Sequence, residues 1–310
     1  MNNLDKKIIE LCDKTYSEMT KENPLDNMTN CTFAPGSIEA LVPNLEQFRL
    51  TSNNINFHQL NKNELSSALF GLSKVLILPN GNIALHKDHF RLWAWCAELV
   101  LCTQFDVLDQ FNDEHLSLEN LLATATRATL IIQKGTQQNL PADETVFLNE
   151  AQLILAHLSF PLLEGVCKLV SSDYVTINGE IIKEFTVPGR SYKPQSNPQG
   201  KPKKISSLKD LLYLVSTTRN VPYLDDLKQH LELIDKQDDG FEIIYSWRNK
   251  TVHGSNTYAT VGGTLLNMTF LILIHSLKKE FNQVRDYAFS LSRYNHPSHG
   301  LEKYHFYYPI

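Results

Sequence analysis

Arg248 and His253 stand five residues apart towards the C-terminal end of a 310-residue chain, with Asn249 directly after the arginine. An arginine offers a planar fork of donors that matches phosphate oxygens, where charge builds in a transition state. A histidine with an unperturbed pKa near 6.5 gives or takes a proton at neutral pH. The residue types therefore suit proton transfer beside a phosphate. A plainer role exists for the same pair. Arginine and histidine at a helix C-terminus also satisfy terminal carbonyls and the helix dipole.

The element that must position them is short. Tyr245 to Gly254 reads as the last turns of a helix that starts near Gly240. Phe241, Ile243, Ile244, Trp247 and Val252 supply its apolar positions, and Gly254 sits where a C-cap is expected. A five-residue step covers roughly 500° of helix, or about 140° around the axis. On a straight helix Arg248 and His253 would not share a face. They reach one pocket if the helix loosens at Val252-His253-Gly254.

Arg248-Asn249-Lys250-Thr251-Val252-His253 resembles the R-x4–6-H motif of the HEPN superfamily, with a polar residue directly after the arginine. The context is similar too. The motif ends one helix, a short Gly- and Ser-containing loop follows, and a long apolar helix comes next. The resemblance covers residues 143–294, about half the chain. It implies an up-and-down helical bundle that pairs as a homodimer, with both motifs lining one cleft. It implies metal-independent RNA cleavage by 2′-hydroxyl attack, leaving a 2′,3′-cyclic phosphate. His253 would then move the proton, Arg248 would stabilise the phosphorane, and Asn249 would orient the phosphate or the partner motif. No metal and no cofactor is called for. Phage defence or toxin–antitoxin control is the setting the resemblance suggests. The superfamily also includes bundles that only bind RNA or dimerise, so a non-catalytic scaffold is the alternative.

A second basic feature lies upstream. Residues 187–204 read as an exposed, mobile loop with four prolines, carrying Arg190, Lys193, Lys201, Lys203 and Lys204 and no acid. With Lys250 they are weak candidates for RNA contact. Residues 1–182 hold 12 Lys/Arg against 22 Asp/Glu, and residues 183–310 hold 17 against 12. The net charge of −5 excludes a generally basic nucleic-acid binder, but the C-terminal part can meet phosphates locally.

Helical periodicity dominates the rest, so the expected class is mainly α with one or two minor β-hairpins. Helices are expected at 4–19, 87–109, 116–133 (with Ser117 as N-cap), 143–173, 208–218, 222–236 and 264–294. Leu65–Leu78 is expected to be a helix running into a strand, Pro161 to kink or interrupt its helix, and Gly262-Gly263 to precede the last one. Hairpins are expected at Asn80-Gly81 and Asn178-Gly179. The polar stretch 136–143 suggests a boundary between a mostly helical part, 1–135, and a HEPN-like part, 143–310. The first part carries no readable motif and is the candidate site for a regulatory partner.

Other signals are weaker. His86 and His89 are three apart but lack a completing ligand set nearby. The aromatic, His-rich tail is expected to fold back over the bundle. Five scattered cysteines read as free thiols of a reducing cytoplasm. The run Thr264–Ile274 contains Asn267 and is too short to span a bilayer, so it reads as a core helix and no membrane is expected.

Overall fold

The computed structural model describes residues 3–20, 45–78, 85–103, 113–135, 142–194, 202–234, 239–252, 258–294 and 306–307. Among them are ten α-helices and one two-stranded antiparallel sheet, so the fold is mainly α. The helices are α1 (Asn3–Thr20), α2 (Lys62–Leu76), α3 (Lys87–Leu101), α4 (Asp113–Gly135) and α5 (Ala142–Val170). After the strands β1 (Phe185–Val187) and β2 (Arg190–Tyr192) come α6 (Leu208–Arg219), α7 (Leu224–Leu231), α8 (Gly240–Val252), α9 (Tyr258–Ser276) and α10 (Phe281–Tyr294).

Local chemistry sets several of the starts. Asn61 caps α2 by accepting from the Asn63 and Glu64 amides, both at 3.0 Å, while Glu64 accepts from the Asn61 amide at 2.8 Å. Ser207 caps α6 by accepting from the Asp210 amide at 3.3 Å. His86 caps α3 by accepting from the Asp88 amide at 3.3 Å. His89 accepts from the His86 amide through Nδ1 and donates through Nε2 to the Leu72 carbonyl at 3.1 Å. Both ring nitrogens of His89 are thus occupied, Nδ1 in closing the start of α3 and Nε2 in tying α3 to α2, which leaves neither for a metal.

Four expectations need correction. Helix α4 begins at Asp113, so Ser117 lies inside it rather than at its cap. Helix α5 runs unbroken through Pro161, because burial of Phe160, Leu162 and Leu163 outweighs the lost backbone bond. No strand follows α2 within residues 77–78. Gly262-Gly263 lie within α9, and the long final helix is two helices, α9 and α10. A Cβ on Gly262 would come within 2.9 Å of the Ala156 backbone nitrogen, so glycine here permits close approach of α9 to α5. The Lys62 ammonium donates to the His275 carbonyl at 2.8 Å and satisfies the end of α9.

Helix α9 is the centre of the core and packs on α2, α3 and α5. Its one amide is accommodated by pairing. Trp93 Nε1 donates to Asn267 Oδ1 at 2.7 Å, and Asn267 Nδ2 donates to Ser73 Oγ at 2.9 Å, all fully buried. These contacts join α2, α3 and α9, and α4 packs along α5. Residues on both sides of 136–141 therefore share one hydrophobic cluster. By length and composition Glu150–Val170 and Tyr258–Ser276 could each cross a membrane, and 56% and 83% of those windows are buried inside the fold.

The expected loop 187–204 is partly a hairpin. Val187 pairs with Arg190 across a Pro188-Gly189 turn in which Gly189 has φ 77°. Phe185 and Tyr192 stack at 4.8 Å on its inner face. The turn at Asn178-Gly179 is present, closed by a bridge between Val175 and Ile181. Glu180 bridges to Lys204. The Asn80-Gly81 turn, Cys31, and His296, His299 and His305 lie outside the described residues. Of the tail, Phe306 and Tyr307 dock on the bundle. The Phe306 amide donates to Glu98 at 3.1 Å, and the Tyr307 hydroxyl meets His58 Nδ1 at 2.9 Å.

Burial lowers the pKa of His58, His86, His89, His230 and His275, His86 to about 3. Above the unfolded value of about 6.5 both states are neutral and nothing is lost. Below it the unfolded chain binds protons that the folded chain refuses. For the buried His89 and the partly buried His86 stability then falls by up to about 1.4 kcal/mol per pH unit each. Thermal unfolding from pH 7.5 to 5 should show a melting temperature that declines below about pH 6.5, ahead of carboxylate titration. A constant value to pH 5 would contradict the buried neutral imidazoles.

Candidate functional site

Helix α8 is held at its start by a compact polar cluster. Asp239 accepts from the Phe241 amide at 3.0 Å, from Lys228 at 2.9 Å and from the Tyr213 hydroxyl. Lys228 also pairs with Glu232 at 2.8 Å, and Glu232 accepts from the Gly240 amide at 3.3 Å. Burial opposes the charge on Lys228, but its bonds to Glu232 and Asp239 win and raise its pKa. Burial and the bond to Asp239 push the Tyr213 phenol up to about 12. A Cβ on Gly240 would lie 2.1 Å from the Lys228 carbonyl oxygen, so α7 and the first residue of α8 are in direct backbone contact.

From that start the helix sorts its side chains. Phe241, Ile243, Ile244, Trp247 and Thr251 are buried, where α8 packs on α5, α6 and α7. Glu242, Tyr245, Arg248 and Asn249 follow at steps of three, three and one, and so form the other face. They line a cleft of about 740 Å³. Its opposite wall comes from Glu164 of α5, from Pro188, Gly189 and Arg190 of the hairpin, and from Ser206, Ser207, Lys209 and Asp210 at the start of α6.

Each cation in the cleft faces a carboxylate. Arg248 Nη1 lies 3.6 Å from Glu164 Oε2, and the other Glu164 oxygen pairs with Lys168 at 2.7 Å. Arg190 Nη1 donates to Asp210 Oδ2 at 3.2 Å, which the Tyr192 hydroxyl also reaches at 2.5 Å. Lys209 pairs with Glu242. Formal charge in the lining therefore cancels. Arg248 is 40% exposed and its pair with Glu164 is long, so an incoming oxyanion can compete for that guanidinium.

The structure thus brings Arg248, Asn249 and Arg190 to one cleft. Lys203 and Lys204 join Arg190 in an adjoining cavity. Lys193 is exposed and pairs with Glu184 at 2.9 Å, and Lys250 is exposed on α8; neither lines the cleft. His253 and Lys201 lie outside the described residues, so the expected meeting of Arg248 with His253 rests on sequence spacing. Sequence reasoning missed Glu242 and Tyr245, which helical spacing from Arg248 would have flagged. It also missed Glu164, Lys209 and Asp210, which only tertiary packing brings to the cleft.

No family model, curated protein or solved structure matches the chain.

Removing the competing carboxylate isolates its effect. Glu164→Gln should tighten binding of a short oligoribonucleotide about two- to fivefold, the scale of a partly exposed ion pair. Titration by fluorescence anisotropy checks this. Weaker binding by a variant that folds normally would mean that Glu164 orients Arg248 rather than competing with the ligand.

Proposed function

We propose that this chain is a metal-independent endoribonuclease whose reacting phosphate sits against the open face of α8. The observation that carries the reading is the placement of Arg248 and Asn249 in one cleft with Arg190. The motif supplies the chemistry. A 2′-oxygen attacks the adjacent phosphorus and the bond to the 5′-oxygen breaks. One product ends in a 2′,3′-cyclic phosphate and the other in a 5′-hydroxyl. His253 moves the proton, Arg248 stabilises charge on the phosphorane oxygens, and Asn249 holds the phosphate in place.

The HEPN-like bundle is part of the same proposal, with α5, α6, α8 and α9 as its members. It is supported by the packing of α8 and α9 against α5, and of α6 against both α5 and α8. A homodimer would bring a second motif to the cleft. Phage defence or toxin–antitoxin control is the setting proposed with it.

The balanced charge of the cleft favours a second reading, a bundle that binds RNA or pairs with itself without cutting. Three carboxylates beside three cations give little net attraction to a polyanion. The two readings part on variants. In EDTA, with mixed RNA and transfer RNA as substrates, wild type should cleave. His253→Ala should lose about 10²–10⁴-fold in rate, the span of a placed acid or base, and Arg248→Ala about 10²–10³-fold, the span of one lost charge-stabilising donor. Asn249→Ala should lose less. Wild-type RNA binding without cleavage, unchanged in His253→Ala, would favour the scaffold.

A further inference from the structure

Beside the motif cleft lies a second cavity of about 480 Å³. The two share a wall, made by Gly189, Arg190, Ser206 and Ser207. We infer that the second cavity is a phosphate subsite that holds the backbone of a single-stranded RNA next to the reacting nucleotide. This rests on the proposed reading of the first cleft.

The two neighbouring cavities differ in charge. The motif cleft is balanced, as described above. The second cavity is lined by Arg190, whose charge Asp210 already meets, and by Lys203 and Lys204, and no carboxylate is among its lining residues, so its unmatched charge is that of the two lysines. Lys204 pairs with Glu180 only at 3.8 Å, with side chains 55% and 36% exposed, a contact that water and salt weaken easily. Lys203 sits over the Tyr192 ring at 5.8 Å, with no carboxylate partner among the described residues. The hydroxyls of Ser191, Ser206 and Ser207 add donors for phosphate oxygens or a ribose.

Packing holds this lining in place. The backbone of Lys203 accepts from the Ile181 amide at 3.1 Å, and Lys204 bridges to Glu180. Arg190 is tied to Asp210, and Tyr192 is tied to the same carboxylate. The cations are therefore presented by paired backbone. Each cavity has the volume of a small-molecule pocket. That suits one nucleotide passing to the next across a shared wall and not the width of a duplex. The division of labour follows: the charged cavity supplies affinity, and the balanced cleft supplies chemistry without holding its product tightly.

The test is the salt dependence of binding of a fluorescein-labelled oligouridylate to the full chain. For single strands the slope of log affinity against log salt is about −0.7 per phosphate neutralised. The double variant Lys203→Gln, Lys204→Gln should reduce the slope by roughly 1.4 and weaken binding at least tenfold at low salt. These side chains leave the backbone pairing intact, so circular dichroism and melting temperature should not move. An unchanged slope in a folded variant overturns the subsite. Equal competition by a duplex of the same length overturns its assignment to single strands. Failure of the catalytic reading looks different: wild type binds, the double variant binds weakly, and no RNA is cut. Failure of the subsite alone leaves cleavage intact with an unaltered slope.

Discussion

The contact between α9 and α5 at Gly262 is the constraint on which the site depends. A single added carbon there would press on the Leu155 side chain and the Ala156 backbone. Because it is missing, α9 lies close against α5, and Ser159 donates to the Gly262 carbonyl at 3.3 Å. Helix α5 then has α4, α6, α8 and α9 packed around it. About two turns beyond that contact it presents Glu164 to Arg248. A shift of α5 on α9 would move one wall of the cleft relative to the other. Buried polar pairing between Trp93, Asn267 and Ser73 fixes α9 from its other side. An apolar helix with no such pairing could rotate at little cost, whereas here rotation would leave a buried amide unsatisfied.

The cleft is polar, open and electrically balanced, and that balance shapes what it can do. A surplus of cations would bind any polyanion. Paired cations demand a ligand that replaces the carboxylate geometry at Arg248 and Arg190, which a phosphate does and a diffuse negative field does not. The clamp at the start of α8 serves the same end. Lys228, Asp239, Glu232 and Tyr213 hold the first turn, so the register of Glu242, Tyr245, Arg248 and Asn249 along the cleft is set by residues that take no part in lining it.

The motif helix was legible in the sequence because its information is local. The spacing of Phe241, Ile244 and Trp247 marks a buried face, and the open face follows by subtraction. The mainly helical class was legible for the same reason. Two errors share one cause. Pro161 and Gly262-Gly263 break helices by propensity, but propensity is worth little beside the burial of α5 and α9. The hairpin at 185–192 was hidden by its proline- and lysine-rich surroundings, although Phe185 and Val187 alternate with Thr186 as a half-buried strand requires and Tyr192 is buried opposite Phe185. The Glu164–Arg248 pair joins residues 84 positions apart, and no spacing rule reaches that far.

The end groups of the cleaved RNA test the central claim most directly. Purified protein is incubated with a defined single-stranded RNA in EDTA, and the products are weighed by mass spectrometry. Fragments ending in a 2′,3′-cyclic phosphate, each matched by a partner with a 5′-hydroxyl, are the predicted result. Products ending in a 3′-hydroxyl and a 5′-phosphate, or intact RNA beside folded protein, would contradict attack by the 2′-hydroxyl at the face of α8.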